Sequence, residues 1–134
     1  MQNEIVKKLR LDTQGKTLLV DIPDSLLPIF DGISYDLKPL KKNLGTYDYV
    51  HVFAYNQKRL EELVTSVGKA GKYDGVFWAS YPKGTGKIKS DIKRETVWKA
   101  LDLIGQEAVT QVAIDDTWSA LRARPYDKVG TKNK

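Results

Sequence analysis

The amino-acid sequence predicts an α/β fold: a small doubly wound, mainly parallel sheet with helices on both faces and a C-terminal antiparallel hairpin. Three observations predict it. Short runs at 17–22, 49–55 and 75–81 are apolar on both faces, the pattern of strands buried in a parallel sheet. Helical periodicity separates the second from the third and follows the third, as expected for β-α-β units. After Gly105 the chain changes character: the runs 108–114 and 118–123 are joined by the turn residues Asp115, Asp116 and Thr117, which reads as a hairpin.

Taken in order, residues 3–11 predict a short helix with Ile5, Val6 and Leu9 on one side. The strand 17–22 stops at Pro23, and Asp24 is placed to cap a short helical segment, Ser25 to Phe30. Pro28 makes that segment irregular because proline removes an intrahelical donor. Ile33 to Leu37 predicts a weaker strand before the basic turn 38–43. In 49–55, Val50, Val52 and Ala54 form one face and His51, Phe53 and Tyr55 the other, so both faces need cover. Asn56 caps a helix whose Leu60, Leu63, Val64 and Val67 recur at helical spacing, with Gly68 and Gly71 near its end. Pro82 ends the third strand. A helix over about 91–104 follows, with Ser90 or Asp91 as cap and Ile92, Val97, Ala100, Leu101 and Ile104 facing inward. Trp78 and Trp98 are expected in the core. Residues 126–134 are polar and basic without periodicity, a frayed, disordered tail to a single domain over 1–125.

With the weak strand 33–37 at one edge, followed by 17–22, 49–55, 75–81 and the hairpin, the layout resembles a small methyltransferase-like fold. A more specific resemblance lies in the second half. Gly75-Val76-Phe77-Trp78-Ala79-Ser80-Tyr81-Pro82-Lys83, Lys87-Ile88-Lys89-Ser90-Asp91 with Arg94, and the run from Gln111 to Pro125 resemble a family of small uncharacterised bacterial proteins of unknown function. The resemblance spans about residues 8 to 125 and is specific over 75–125. That family has no assigned activity, so the resemblance implies a fold and a cytoplasmic location and transfers no catalytic residue.

Composition removes much ordinary enzymology. The chain has 134 residues, 41% of them hydrophobic, enough to bury a core without staples. It has no cysteine, which excludes thiol nucleophiles, redox motifs and zinc sites containing cysteine, and its one histidine, His51, excludes His-rich metal sites. His51 sits mid-strand between aromatics and is expected to be a hydrogen-bonded core residue. No metal site is expected. No run approaches a membrane span and the N-terminus lacks the apolar core of a signal peptide, so a cytoplasmic protein without membrane contact is expected. The net charge of +5 is local: Lys83, Lys87, Lys89, Lys93 and Arg94 face one acid, Asp91, within 83–94, and residues 122–134 hold five cations against Asp127. The remaining body is acidic. Such a footprint, without interleaved exposed aromatics, does not favour nucleic acid.

In this fold class ligands sit outside the carboxyl ends of the strands. A cofactor-binding version needs glycine after the first strand so that backbone can approach a nucleotide, and Asp21-Ile22-Pro23-Asp24-Ser25-Leu26 has none. No cofactor is expected, neither S-adenosylmethionine nor a dinucleotide. Asp36 could take a ribose-binding acid position or serve as a turn carboxylate. The best ligand loop is Lys83-Gly84-Thr85-Gly86-Lys87, which joins a buried strand to a helix start, where free N–H groups and the dipole favour anions; it also reads as a plain solvated loop. It lacks the spacing of a Walker A loop. Asp115 and Asp116 should emerge beside it, either as turn caps and partners of Lys83 or as an acid/base pair or magnesium site. Tyr81, Asp91 and Trp118 complete the candidate edge, with Trp118 also readable as a core-covering aromatic.

Two classes of function are compatible with these residues. One is a non-catalytic binding or regulatory module for a protein partner or an anionic small molecule at the edge formed by 81–91 and 115–118. The other is a small enzyme using Asp115 or Asp116 with Lys83 on a phosphorylated or carboxylated substrate. Weak nucleic-acid binding through the basic loop and tail is a third. The sequence carries no signal for oligomeric state.

Overall fold

The computed structural model describes Leu9 and residues 16–38, 41–83 and 88–125. The expected N-terminal helix, the loop Gly84 to Lys87 and the tail 126–134 lie outside the described residues. Five strands form one sheet: β1 (Thr17–Val20), β2 (Tyr47–Phe53), β3 (Gly71–Pro82), β4 (Gln106–Ala113) and β5 (Trp118–Pro125), in the order β1-β2-β3-β5-β4. β1, β2 and β3 are parallel, with Leu19 opposite His51 and His51 opposite Trp78. β5 runs antiparallel to both β3 and β4, so β4 again points along β3. This is the predicted α/β architecture, and the predicted hairpin closes it.

The helices α1 (Gln57–Val67) and α2 (Arg94–Asp102) cover one face. Leu60, Leu63, Val64 and Val67 of α1 and Val97, Ala100 and Leu101 of α2 pack on Leu18, Val50, Val52, Phe77 and Ala79. The opposite face buries Leu19, Tyr49, Phe53, Trp78 and Trp118 beneath Leu9, Leu26 and Phe30. Strands in the middle of the sheet therefore meet a core on each side, which is why their sequences show apolar runs rather than alternation. Asn56 caps α1 by accepting from the Arg59 N–H at 2.8 Å. Gly68 permits close packing at the end of α1, since a Cβ there would lie 2.7 Å from Ile104 Cγ2.

Several local expectations are corrected. The segment 24–30 is a 3-10 helix with Pro23, not Asp24, at its N-cap and no side-chain cap bond. The strand expected at 33–37 is reduced to one parallel bridge, Leu18 to Asp36, whose N–H donates to Thr17 and whose carbonyl accepts from Leu19. α2 starts at Arg94 because neither expected cap serves it: Ser90 accepts from Ile92, Asp91 accepts from the Gln57 N–H of α1, and the Thr96 hydroxyl accepts from Lys93. Trp98, expected inside, is 51% exposed on the flank of α2. Trp78 is buried, and its indole N–H donates to the Leu9 carbonyl at 2.9 Å.

His51 is the buried polar centre of the second core. Its Nδ1 lies 3.0 Å from the Tyr49 hydroxyl and its Nε2 2.5 Å from Ser80 Oγ, and its ring stacks on Phe53 with centroids 4.1 Å apart. Burial holds its pKa well below the ordinary value. The unfolded chain protonates this ring near pH 6.5 while the folded one keeps it neutral, so the contribution of this group is complete above that pH and declines as pH falls below it. We expect the unfolding free energy to drop by up to about 1.4 kcal/mol per pH unit between about pH 6.5 and 5. Denaturant unfolding across that range checks this, and His51→Gln should flatten the slope.

Candidate functional site

Because β4 and β3 point the same way, the hairpin turn and the end of β3 meet at the carboxyl edge of the sheet. The Lys83 N–H donates to the Thr117 carbonyl at 2.7 Å, so the loop after β3 does begin beside Asp115 and Asp116. Asp115 Oδ1 accepts from the N–H groups of Thr117 and Trp118 at 2.8 and 2.7 Å, the geometry of a carboxylate that shapes its own turn. Among the described residues no ion pair joins Lys83 to Asp115 or Asp116. Trp118 is buried, with its ring edge-to-face against Phe53 and Tyr55 at 6.1 and 5.2 Å. Asp91 serves the N-terminus of α1. Of the expected site residues, Tyr81 and Lys83 come together in a cleft; Gly84, Thr85, Gly86 and Lys87 lie outside the described residues.

That cleft has a volume of about 670 Å³ and lies between the end of β3, the hairpin and the start of α2. Lys83, Lys93 and Arg94 line it together with Tyr81, Gln111 and Ser119, and Glu95 is the one carboxylate among the described lining residues. Arg94 donates from NH1 to Gln111 Oε1 at 3.2 Å, and Gln111 Nε2 donates to Ser119 Oγ at 3.0 Å and to the Tyr81 hydroxyl at 3.5 Å. Burial raises the Tyr81 pKa, opposed by the Ser119 hydroxyl and the charge of Arg94, so the phenol stays protonated at neutral pH. Sequence reasoning reached Lys93 and Arg94 only as members of a basic run. It missed Gln111 and Ser119, which alternate with apolar neighbours as any strand residue does.

A second cleft, of about 700 Å³, opens at the end of β1, where the chain leaves for the Asp36 bridge on one side and β2 on the other. This reversal of order is where doubly wound folds place their ligands. Asp21 there has φ 63°, a left-handed conformation that glycine adopts without strain, and its carboxylate accepts from Arg59 Nε at 2.9 Å. Arg59 also approaches Glu62 at 3.4 Å. Asp36 accepts from the Tyr47 hydroxyl at 2.5 Å, the structural use of that carboxylate. Among the described residues no three carboxylates or histidines gather as metal ligands, and no helix is long and apolar enough to cross a membrane.

No protein-family model matches the chain, and no curated protein matches its sequence. Solved structures do match its fold. The magnesium protoporphyrin IX methyltransferase from Synechocystis PCC 6803 with bound SAH is similar at a TM-score of 0.58 and 12% identity, over 92% of this chain and 81% of that one. The glycopeptide N-methyltransferase MtfA is similar at 0.53 and 11%, over 92% and 94% of the two chains. The [4+2]-cyclase SpnF is similar at 0.53 and 10%, over 92% and 79%. The fold is therefore methyltransferase-like. At the end of β1 the turn carries the Asp21 side chain rather than a glycine, and that side chain is paired with Arg59, which also lines the cleft.

Two substitutions test the edge. Asp115→Ala should cost about 1–2 kcal/mol in denaturant unfolding because two turn N–H groups lose their acceptor. Lys83→Ala, which breaks no ion pair among the described residues, should stay within about 0.5 kcal/mol of the parent.

Proposed function

We propose that the chain is a non-catalytic binding module on a methyltransferase-like fold, which takes an anionic small molecule in the cleft between β3, the hairpin and α2. The observation that carries this reading is the charge of the lining: Lys83, Lys93 and Arg94 against Glu95 alone. Three cations around a concavity focus a positive potential there, and an anion that enters relieves their mutual repulsion. The position at the carboxyl edge of the sheet supports it as well.

The absence of catalysis is inferred from what the ionisable groups already do. His51 is enclosed in the core with both ring nitrogens hydrogen-bonded, and Asp115 holds its turn. A second reading, an enzyme dependent on S-adenosylmethionine, is favoured by the fold shared with a methyltransferase that has SAH bound. The Asp21–Arg59 pair at the end of β1 argues against it.

A thermal-shift screen at low ionic strength tests the first reading. An anion at about 100 times its Kd should stabilise the fold by about 2.7 kcal/mol, and the shift should shrink as salt screens the exposed cations. Replacing Lys93 and Arg94 together by Ala should abolish the shift without lowering the melting temperature of the free protein by more than a few degrees. Calorimetry with S-adenosylmethionine should give no heat of binding. A micromolar Kd there would replace the first reading with the second.

A further inference from the structure

The hydrogen bonds in the cationic cleft have a direction, and the direction selects among anions. Arg94 is a pure donor, so its contact with Gln111 fixes the amide: Oε1 faces the guanidinium and Nε2 faces inward. Both hydroxyls that Nε2 reaches are therefore acceptors toward Gln111. Each must direct its own proton elsewhere. Among the described residues neither O–H has an acceptor, although Tyr81 is 6% and Ser119 3% exposed. A buried hydroxyl proton facing a cleft lined by three cations asks for a ligand atom that accepts.

Resting on the reading above, we propose that this cleft is a phosphoryl site, selective for a small phosphate monoester dianion over a carboxylate, with Gln111 as the residue that sets the polarity of the network. A carboxylate has one charge and two oxygens. A phosphate monoester brings nearly two charges and three terminal oxygens, enough to engage Arg94 by two of its N–H groups, a lysine, and a hydroxyl proton of Tyr81 or Ser119 at once. Arg94 keeps N–H donors beyond the one given to Gln111, and Lys83 and Lys93 have no ion pair among the described residues. Gln111 does not need to touch the ligand. It acts by turning the hydroxyl protons outward.

The test is titration calorimetry of the full chain with phenyl phosphate, benzoate and inorganic phosphate. Phenyl phosphate should bind at least tenfold tighter than benzoate, and its affinity should fall below about pH 6, where the ester loses its second charge. Tyr81→Phe, which removes the hydroxyl and keeps the ring, should weaken phenyl phosphate about tenfold, the effect of one hydrogen bond to a charged group. Gln111→Glu should abolish binding, because an acceptor at that position draws the hydroxyl protons inward and pairs with Arg94. Its melting temperature, unchanged or raised, separates this from unfolding. Inorganic phosphate binding as tightly as the ester supports the site with free phosphate as its ligand; weaker binding supports the ester. Equal affinity for benzoate and phenyl phosphate, or no effect of either substitution, overturns the phosphoryl site and leaves the anion reading standing. No heat with any of the three overturns the reading on which it rests.

Discussion

The structure depends on β3 having a parallel neighbour on one side and an antiparallel neighbour on the other. The parallel side fixes the core: β2 and β3 stand in register with His51 beside Trp78, and the helix between them buries its apolar stripe on their common face. The antiparallel side fixes the edge. Since β5 reverses direction and β4 reverses it again, the hairpin turn returns to the end where β3 stops. Ser119 then stands opposite Tyr81 in the ladder, and Gln111 reaches both from β4. No local sequence signal brings these three residues together; the strand order does.

The same geometry explains how far the sequence could be read. Runs such as Tyr49 to Ala54 and Val76 to Tyr81 are apolar on both faces only because a core lies on each side, so a one-dimensional pattern reported a three-layer arrangement. Asn56 and the helical spacing after it identified α1 because capping and amphipathicity are local. Elements that rest on nonlocal partners were misread. Asp91 looks like a cap for the helix that follows it, and it caps the other one, thirty-four residues away, since α1 and α2 lie side by side on one face of the sheet. Trp98 is apolar and lies one position from buried Val97, yet one step around a helix is 100°, enough to turn it from the core to the flank. At 33–37 the β-branched and aromatic residues suggested a strand, but Pro39 follows closely and cannot donate to a ladder, and one bridge is what forms.

The candidate site was legible in part for the same reason. Charge is visible in sequence, and the run from Lys83 to Arg94 pointed to the side of the sheet on which the cationic cleft lies. The polarity of a hydrogen-bond network is not visible, because it depends on which atom of Gln111 faces the guanidinium. The acidic pair at the turn was legible as residues and not as roles: Asp115 accepts from two backbone N–H groups two and three positions ahead, a contact that any short turn of this composition can make.

The two clefts at the carboxyl edge differ in a way that bears on what the fold is used for. The one at the end of β1 is balanced, with Asp21 and Asp24 against Lys38 and Arg59. Its ion pair is exposed, with side chains 46% and 37% accessible, so it contributes no more than about 1 kcal/mol to stability. What the pair does is occupy space and satisfy charge. Asp21 retains the left-handed turn that suits a glycine while adding a carboxylate, and Arg59 supplies its counter-ion from α1. A ligand entering there would have to displace a charge-assisted hydrogen bond and offer both charges new partners. In the cleft beside α2 the cations lack acidic partners among the described residues. The two clefts thus differ in electrostatics, balanced at the strand-order reversal and net cationic on the hairpin side of the sheet.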